Sequence, residues 1–443
     1  MKTLFMPNDN SLDRPEIQLA DLSFLLKNKL VFSEKFKKNG NQNSVNIKKT
    51  NSQLVLKGKK LSDFRTINID EKNLATIKFV SQNYSKYPAE KIWIILLCGG
   101  LSSRSMGKVN PLMTLEDKRF HKKTLIDLKI EQIINSCMGS SKIALMASIS
   151  NEENLRDHFL KNDIRLPELI YTNGSQKRLS LHQPSSGELN YYIDNQNNHF
   201  YNPEGHMGVL RWLVASGAIT YMNSDSMILI ASYSNWGDIF NSQTLKTMQY
   251  IKSLSELSKN SIIGVEVTKR LKNKKTGSIL SEDPIRPGRF FLLKQAYGVG
   301  IPKMPDKYEH VLMGTNTWYV PVKVIINRLK NYAQKSGIKD FDKIPKNILK
   351  TLQKSNSQKQ LLNLFDNAFP SFPYLSLKKV PNDEDTLQLE HDLDQLSLID
   401  GINITPIIVP SKRAISFKRI EDIENKNEIK GLLDGLNNFS CKK

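Results

Sequence analysis

The apolar run Ile92–Cys98 constrains the fold of this chain more than any other feature, because it leads directly into two glycines. A short, wholly apolar run is typical of a strand buried on both faces of a sheet. Gly99 and Gly100 let the backbone approach a ligand closely, and N–H groups in such a loop can bind an anion. Arg104 and Lys108 add positive charge to the same loop. The pattern predicts a phosphate-binding loop, with a tight strand-to-helix turn as the alternative.

Strand-like and helix-like segments alternate after this run. Lys142–Ile149 and Ile262–Thr268 have the character of strands, whereas Glu152–Lys161 and Asn241–Ser258 have that of helices. Alternation of this kind indicates βαβ units with helices on both faces of a parallel sheet. We therefore expect the α/β class, with a mostly parallel Rossmann-like sheet and with N- and C-terminal extensions.

Composition divides the 443-residue chain into three segments. Residues 1–88 are basic, rich in Asn and Lys, and lack a sustained period, which predicts a partly flexible N-terminal extension. Residues 89–345 carry the alternation of an α/β domain. Residues 346–443 begin as a linker and continue as a C-terminal segment that regains strand character at 402–409.

Charge and cysteine content restrict the partners and the compartment. The 64 Lys and Arg residues exceed the 44 Asp and Glu residues and give a formal net charge of +20. This surplus favours polyanionic partners or reflects lysines spread over solvated faces; few aromatic residues accompany the basic runs, so we do not expect nucleic acid. Three cysteines form no disulfide framework, and no apolar stretch is long enough to span a bilayer. We expect a cytoplasmic protein without a membrane span or a structural zinc site.

Further motifs follow the glycine loop in a fixed order. They are PEGHMG at Pro203–Gly208, LIASYSNWG at Leu229–Gly237, EVT at Glu266–Thr268, MGTNTW at Met313–Trp318 and LQLE at Leu387–Glu390. Their order resembles that of the UTP–glucose-1-phosphate uridylyltransferases, the UDP-sugar pyrophosphorylases. The resemblance is to a divergent member of that family and implies a sheet of the nucleotide-diphospho-sugar transferase type.

The resemblance implies a set of nucleotide-binding residues. The backbone of the glycine loop holds the nucleotide in that family, which corresponds to Gly99, Gly100 and Leu101. Gly205 belongs to a Gly-His pair that contacts the nucleotide and the sugar phosphate. Asn173 is an approximate counterpart of the glutamine that binds uracil.

It also implies a set of residues that bind the sugar phosphate, namely His206, Glu266 and Asn316. A lone His after a Gly is otherwise more often structural. The amide of Asn316 can both donate hydrogen bonds to sugar hydroxyls and accept them.

The phosphate-binding cations differ in part from those of the family. Lys418 corresponds to a lysine that reaches the phosphates. A second lysine of the family falls on Leu112, so we expect Arg104 and Lys108 to act with Lys418 as the catalytic residues. Only 25 residues follow Lys418, so we expect the C-terminal β-helix of larger members to be absent or vestigial.

The metal site departs from the family in the same way. Mg²⁺ is the expected cofactor, and the family's metal-binding aspartate falls on Ser234. Asp238, four residues further on, is the substitute that we expect, with a helix-capping or surface aspartate as the alternative.

The implied reaction is transfer of UMP from UTP to a sugar-1-phosphate, glucose-1-phosphate in the first place, with release of pyrophosphate. Residues 346–443 would then complete the active site. Two alternatives stay open: a repurposed site in which water or a protein group is the acceptor, and a catalytically silent protein that binds a nucleotide-sugar. A protein partner bound through the basic N-terminal extension is a further expectation.

Overall fold

A computed structural model describes residues 4–5, 65–67, 74–99, 110–114, 123–161, 167–180, 191–197, 199–258, 261–269, 278–283, 285–294, 311–335, 355–371, 374–379 and 385–414. Their strands are β1 (Leu4–Phe5), β2 (Arg65–Thr66), β3 (Ala75–Thr76), β4 (Ile92–Leu97), β5 (Lys142–Ser148), β6 (Leu169–Asn173), β7 (Ser175–Lys177), β8 (Tyr201–Pro203), β9 (Met227–Ser232), β10 (Ser261–Lys269), β11 (Ile279–Glu282), β12 (Phe290–Leu293), β13 (Leu312–Pro321), β14 (Tyr374–Lys379), β15 (Asp385–Glu390) and β16 (Ile402–Ile408). Their α-helices are α1 (Ile77–Asn83), α2 (Leu125–Ile134), α3 (Glu152–Lys161), α4 (Gly208–Ala215), α5 (Ser242–Leu257), α6 (Val322–Lys335) and α7 (Ser355–Ala368). Single 3-10 turns include Asn110–Leu112, Leu393–Leu398 and Ser411–Ala414.

Twelve of these strands form one central sheet. Its order is β1-β6-β5-β4-β9-β13-β10-β16-β12-β11-β2, and β3 pairs with β16. Two small antiparallel pairs, β7 with β8 and β14 with β15, lie outside it. β4 is therefore an interior strand with a neighbour on each side, as its wholly apolar sequence predicts.

The sheet is mixed, which corrects the expectation of a mostly parallel Rossmann-like sheet. Strands β1, β6, β5, β4 and β9 are parallel, and β10 is parallel to β16. However, β13 is antiparallel to both β9 and β10, and β12, β11 and β2 add further antiparallel pairs. The apolar pattern of a strand reports its burial and not its direction, so the sequence could not distinguish the two cases. The α/β class itself is confirmed.

Helices cover both faces of the sheet. Alternate residues of β4 face opposite sides: Trp93 and Ile95 pack with apolar residues of α4, α6 and α7, whereas Ile92 and Ile94 pack with those of α1, α2, α3 and α5. The predicted helix bounds agree with the structure to within a few residues at α3 and α5. In the described part of the chain, no helix combines the length and the apolar character that a bilayer crossing needs.

The C-terminal region contributes to the interior of the sheet. β16 lies between β10 and β12, and its register with β10 runs from Ser261 opposite Ile402 to Val267 opposite Ile408. β2 and β3 precede residue 89 and also belong to this sheet. All three segments of the sequence thus supply strands to one sheet. The division at residues 88 and 345 stays a prediction about domains.

A buried ion pair joins the end of the described chain to the sheet. Arg413 is 1% exposed, and its Nη2 lies 2.5 Å from Oε1 of Glu266, which is 0% exposed. The same guanidinium donates to Oγ1 of Thr244 at 2.8 Å and to the carbonyl oxygen of Asp238 at 2.6 Å. A Cβ on Gly237 would lie 2.2 Å from the carbonyl oxygen of Arg413. The 3-10 turn Ser411–Ala414 is therefore packed tightly against the loop after β9.

We expect Arg413→Met to destabilise the protein by about 3–5 kcal/mol, because it leaves the Glu266 carboxylate buried without its cation. The free energy of unfolding in urea measures this loss. Lys91→Met is the control: the ion pair between Lys91 and Asp225 is exposed to solvent, so its removal should cost much less than removal of the buried pair. Equal losses in the two variants would contradict a special role for the buried pair.

Candidate functional site

The carboxyl ends of the parallel strands bring several predicted site residues to one edge of the sheet. Gly99 follows β4, and Asn173 is the last residue of β6. β13 runs the other way, with Trp318 opposite Ile230, so Asn316 lies level with the end of β9. In open α/β sheets ligands bind outside the carboxyl ends of the strands. The fold therefore places the candidate site at this edge.

The start of the glycine loop is tightly packed. A Cβ on Gly99 would lie 3.3 Å from the carbonyl oxygen of Ala147 on β5, so a larger residue here would push against the neighbouring strand. The rest of the loop is not described. Four predicted residues of that loop, and one near the C-terminus, lie outside the described residues and stay predictions: Gly100, Leu101, Arg104, Lys108 and Lys418.

Asn173 holds the turn that precedes α4. It is fully buried, and its Nδ2 donates to the carbonyl oxygen of Gly205 at 3.2 Å. A Cβ on Gly208 would lie 2.0 Å from its Oδ1, so a larger residue at position 208 would displace the Asn173 side chain. Oδ1 has no hydrogen-bond partner among the described residues. The contacts of Asn173 are thus with the turn, and uracil binding by it stays a prediction.

Gly205 packs closely against the main chain of His391, which is distant in the sequence. Its φ is +101°, and a Cβ would lie 2.4 Å from the carbonyl oxygen of His391. The N–H of Met207 donates to that same oxygen at 2.9 Å, and the N–H of His391 donates to the carbonyl oxygen of Glu204 at 2.7 Å. The segment after β15 is therefore fastened to the Gly-His turn by its main chain.

His206 and Asn316, which the sequence assigned to the sugar phosphate, lie side by side. Nδ2 of Asn316 is 3.4 Å from Nδ1 of His206. Asn316 has a φ of +65° in a strand, a conformation that costs free energy and is often found at functional sites. The His206 side chain is 45% exposed, and burial of the rest of the ring lowers its pKa. This pair is the centre of the candidate site.

Sequence reasoning missed a cluster of charges beside this pair. Nζ of Lys294 lies 2.6 Å from Oδ2 of Asp392 and 3.1 Å from Oδ2 of Asp394, which also accepts from Ser278. Burial alone would lower the pKa of Lys294, but the two aspartates outweigh it and raise that pKa above its ordinary value. The sequence features that could have indicated this cluster are the lysine directly after the apolar strand FFLL and the two aspartates at alternate positions in HDLDQ.

Glu266 is fully buried, and its side chain has partners other than the cluster just described. Its Oε1 accepts from Arg413 and from the hydroxyl of Tyr319. Its Oε2 has no hydrogen-bond partner in the described part of the chain. The structure thus places Glu266 with Arg413 and Tyr319, and contact with a sugar phosphate stays a prediction.

The loop after β9 does not gather ligands for a metal ion. The Ser234 hydroxyl faces inward, 2.7 Å from the hydroxyl of Ser232. The Asp238 carboxylate interacts electrostatically with the nearby Arg413 cation, which opposes a divalent cation at the same place. No three His, Cys, Asp or Glu side chains among the described residues are arranged to hold a metal ion. These residues therefore do not fit a Mg²⁺ ion held by the protein alone, and Asp238 as a ligand stays a prediction.

The mixed α/β sheet, with His206 and Asn316 side by side at the carboxyl edge of its parallel strands, agrees with the class of nucleotide-sugar transferases that the motifs predicted. The family model described as UTP–glucose-1-phosphate uridylyltransferase matches residues 30–370. The chain therefore belongs to this family, as its motifs predicted, and is an enzyme of the uridylyltransferase type. A comparison with curated proteins gives no match.

Solved structures show the same fold at low sequence identity. A UDP-glucose phosphorylase from Trypanosoma brucei is 17% identical, with a TM-score of 0.54, over 91% of this chain and 77% of that one. A mutant UDP-glucose pyrophosphorylase from Leishmania major in complex with UDP-glucose is 15% identical, with a TM-score of 0.56, over 86% and 75%. A candidate UDP-N-acetylglucosamine pyrophosphorylase from Entamoeba histolytica is 11% identical, with a TM-score of 0.53, over 80% and 82%.

We expect Gly205→Ala to destabilise the protein more than Gly288→Ala. Both glycines have positive φ, but a Cβ on Gly288 meets nothing within 4 Å, whereas one on Gly205 meets the main chain of His391. Gly288→Ala should cost about 1 kcal/mol from its backbone conformation alone, and Gly205→Ala should cost more than that. Urea unfolding of both variants measures the difference, and equal losses would show that the contact with His391 can relax.

Proposed function

We propose that the protein transfers UMP from UTP to glucose-1-phosphate, giving UDP-glucose and pyrophosphate. The proximity of His206 and Asn316 at the carboxyl edge of the sheet carries the proposal. An imidazole and an amide side by side suit a ligand that has both a phosphate and hydroxyl groups. The family supports a UDP-sugar pyrophosphorylase, and the choice of glucose is the finer part of the proposal.

In this reaction the protein mainly has to position the two substrates and place positive charge near the phosphoryl oxygens. An oxygen of the sugar phosphate attacks the α-phosphorus of UTP in line, and pyrophosphate leaves, so no covalent protein intermediate is needed. Arg104, Lys108 and Lys418 would neutralise charge on the phosphoryl oxygens. We propose Mg²⁺ as an ion that UTP brings with it, because Mg²⁺ is commonly bound by substrate phosphates and few protein carboxylates.

A second candidate function uses water or a protein group as the acceptor in place of a sugar phosphate. The loop after β9 favours it, because Ser234 stands at the family's metal-binding position and its hydroxyl faces Ser232. Such a site would release pyrophosphate from a nucleotide without a sugar phosphate. A protein partner that binds residues 1–88 would be compatible with either function.

We expect pyrophosphate release from UTP with Mg²⁺ only when glucose-1-phosphate is present. The assay compares the four nucleoside triphosphates with and without glucose-1-phosphate and N-acetylglucosamine-1-phosphate. Lys418→Ala should abolish turnover, because it removes a cation from the transferring phosphate. Release without any sugar phosphate would support the second candidate. Turnover with N-acetylglucosamine-1-phosphate alone would replace glucose as the acceptor.

We expect Asn316→Gly to raise the KM for glucose-1-phosphate about tenfold, because it removes a hydrogen-bonding amide, and to leave the KM for UTP unchanged. Glycine accepts the positive φ of this position, so the backbone is preserved. The matched control is Asn197→Gly, since Asn197 also has a φ of +65° but lies on the exposed surface. Steady-state kinetics with each substrate varied in turn give both constants. Equal changes in the two KM values would contradict a contact between Asn316 and the sugar.

A further inference from the structure

The main chain holds Asp392 next to His206. The N–H of Met207 donates to the carbonyl oxygen of His391, and the N–H of His391 donates to the carbonyl oxygen of Glu204. Glu204 precedes His206 in the chain and Met207 follows it, and both are bonded to His391, the residue before Asp392. A carboxylate beside this imidazole is therefore a fixed part of the fold.

The two oxygens of Asp392 face different groups. Oδ2 is 2.6 Å from Nζ of Lys294, whose ammonium also binds Asp394. Oδ1 is 3.9 Å from Nδ1 of His206. Asp392 is 3% exposed, so this carboxylate cannot turn freely toward solvent. The ion pair with Lys294 therefore fixes the carboxylate with Oδ1 on the side of the imidazole.

The imidazole of His206 has one side toward the protein and one toward solvent. Its Nδ1 faces the Asn316 amide at 3.4 Å and Asp392 beyond it. Its side chain is 45% exposed, whereas that of Asp392 is only 4% exposed. With the amide of Asn316 placed as in the structure, Nδ1 accepts a hydrogen bond and the neutral ring carries its proton on Nε2.

We propose that Asp392 is a positioning residue for His206. When the ring takes up a proton from solvent, its Nδ1 no longer accepts from Asn316, the negative charge of Asp392, 3.9 Å from Nδ1, stabilises the imidazolium, and Nε2–H donates to an anionic phosphate bound at this edge of the sheet. Carboxylates that orient a histidine through one nitrogen while the other nitrogen acts are a recurring arrangement. The identity of that phosphate as a sugar-1-phosphate rests on the proposed function, whereas the pairing of the two residues does not.

The charges around His206 determine the expected pH dependence. Burial lowers the pKa of the ring; Asp392, Glu390 and Asp394 raise it, and Lys294 lowers it. A bound phosphate adds negative charge and therefore favours the protonated ring. Binding of the anion should take up a proton, so affinity is highest below the pKa of His206 and falls as the pH rises through it.

The test is a pH titration of the full chain with isotope-labelled histidine, followed by NMR. His206→Gln identifies the resonance of His206 among the seven histidines. We expect Asp392→Asn to lower the pKa of His206 and Lys294→Gln to raise it. Asp394→Asn is the matched control, because it removes the same charge and the other partner of Lys294 but has a smaller effect on the ring.

A second experiment measures the affinity of the protein for glucose-1-phosphate across the same pH range. In Asp392→Asn the affinity at neutral pH should fall, up to about tenfold for each unit by which the pKa falls. Equal shifts from Asp392→Asn and Asp394→Asn, or no shift from Asp392→Asn, would overturn the proposal. If Lys294→Gln does not fold, the test of the proposal uses Asp392→Asn and Asp394→Asn together with Lys294→Arg. The last variant preserves the charge and should not shift the pKa of His206. Absence of UDP-sugar formation would contradict the proposed function and leave the titration result standing.

Discussion

The close contact between Gly205 and the main chain of His391 determines where the site lies. Without a side chain at Gly205, the turn before α4 can accept and donate hydrogen bonds directly to the segment after β15. That contact sets His206 beside Asp392 and, through Lys294, connects both to the end of β12. Two parts of the chain nearly two hundred residues apart therefore build one site, and its geometry depends on backbone groups that substitution of side chains does not remove.

The sequence predicted the parts of the site that a single strand and its following loop determine. The apolar run that became β4 pointed to an interior strand, and the order of the motifs singled out His206 and Asn316, which lie within 3.4 Å of each other. The expectation of a mostly parallel sheet was wrong, because alternation and apolarity report burial and carry no information on direction. An antiparallel strand in the middle of the sheet gives the same apolar pattern as a parallel one.

The charged cluster could not be predicted for a different reason. Lys294 and Asp392 are 98 positions apart, and on a basic chain each lysine is expected on a solvated face. Only the fold shows that Lys294 has two carboxylate partners and lies next to an imidazole. Glu266 is a second example: its motif implied a ligand contact, which stays a prediction, but it did not indicate that the carboxylate is paired with buried Arg413. Long-range pairing of charges decides both cases, and neither spacing nor composition contains it.

The position of β16 has a consequence for synthesis of the protein. A nascent chain that has left the ribosome only as far as β13 has no strand to place between β10 and β12, so edges that are covered in the finished protein remain open. Strand edges of this kind can pair with other chains while translation continues. The last described strand closes them, and Arg413, which follows a few residues later, then buries its charge against the completed sheet. The enzyme should therefore need protection from aggregation until β16 has left the ribosome.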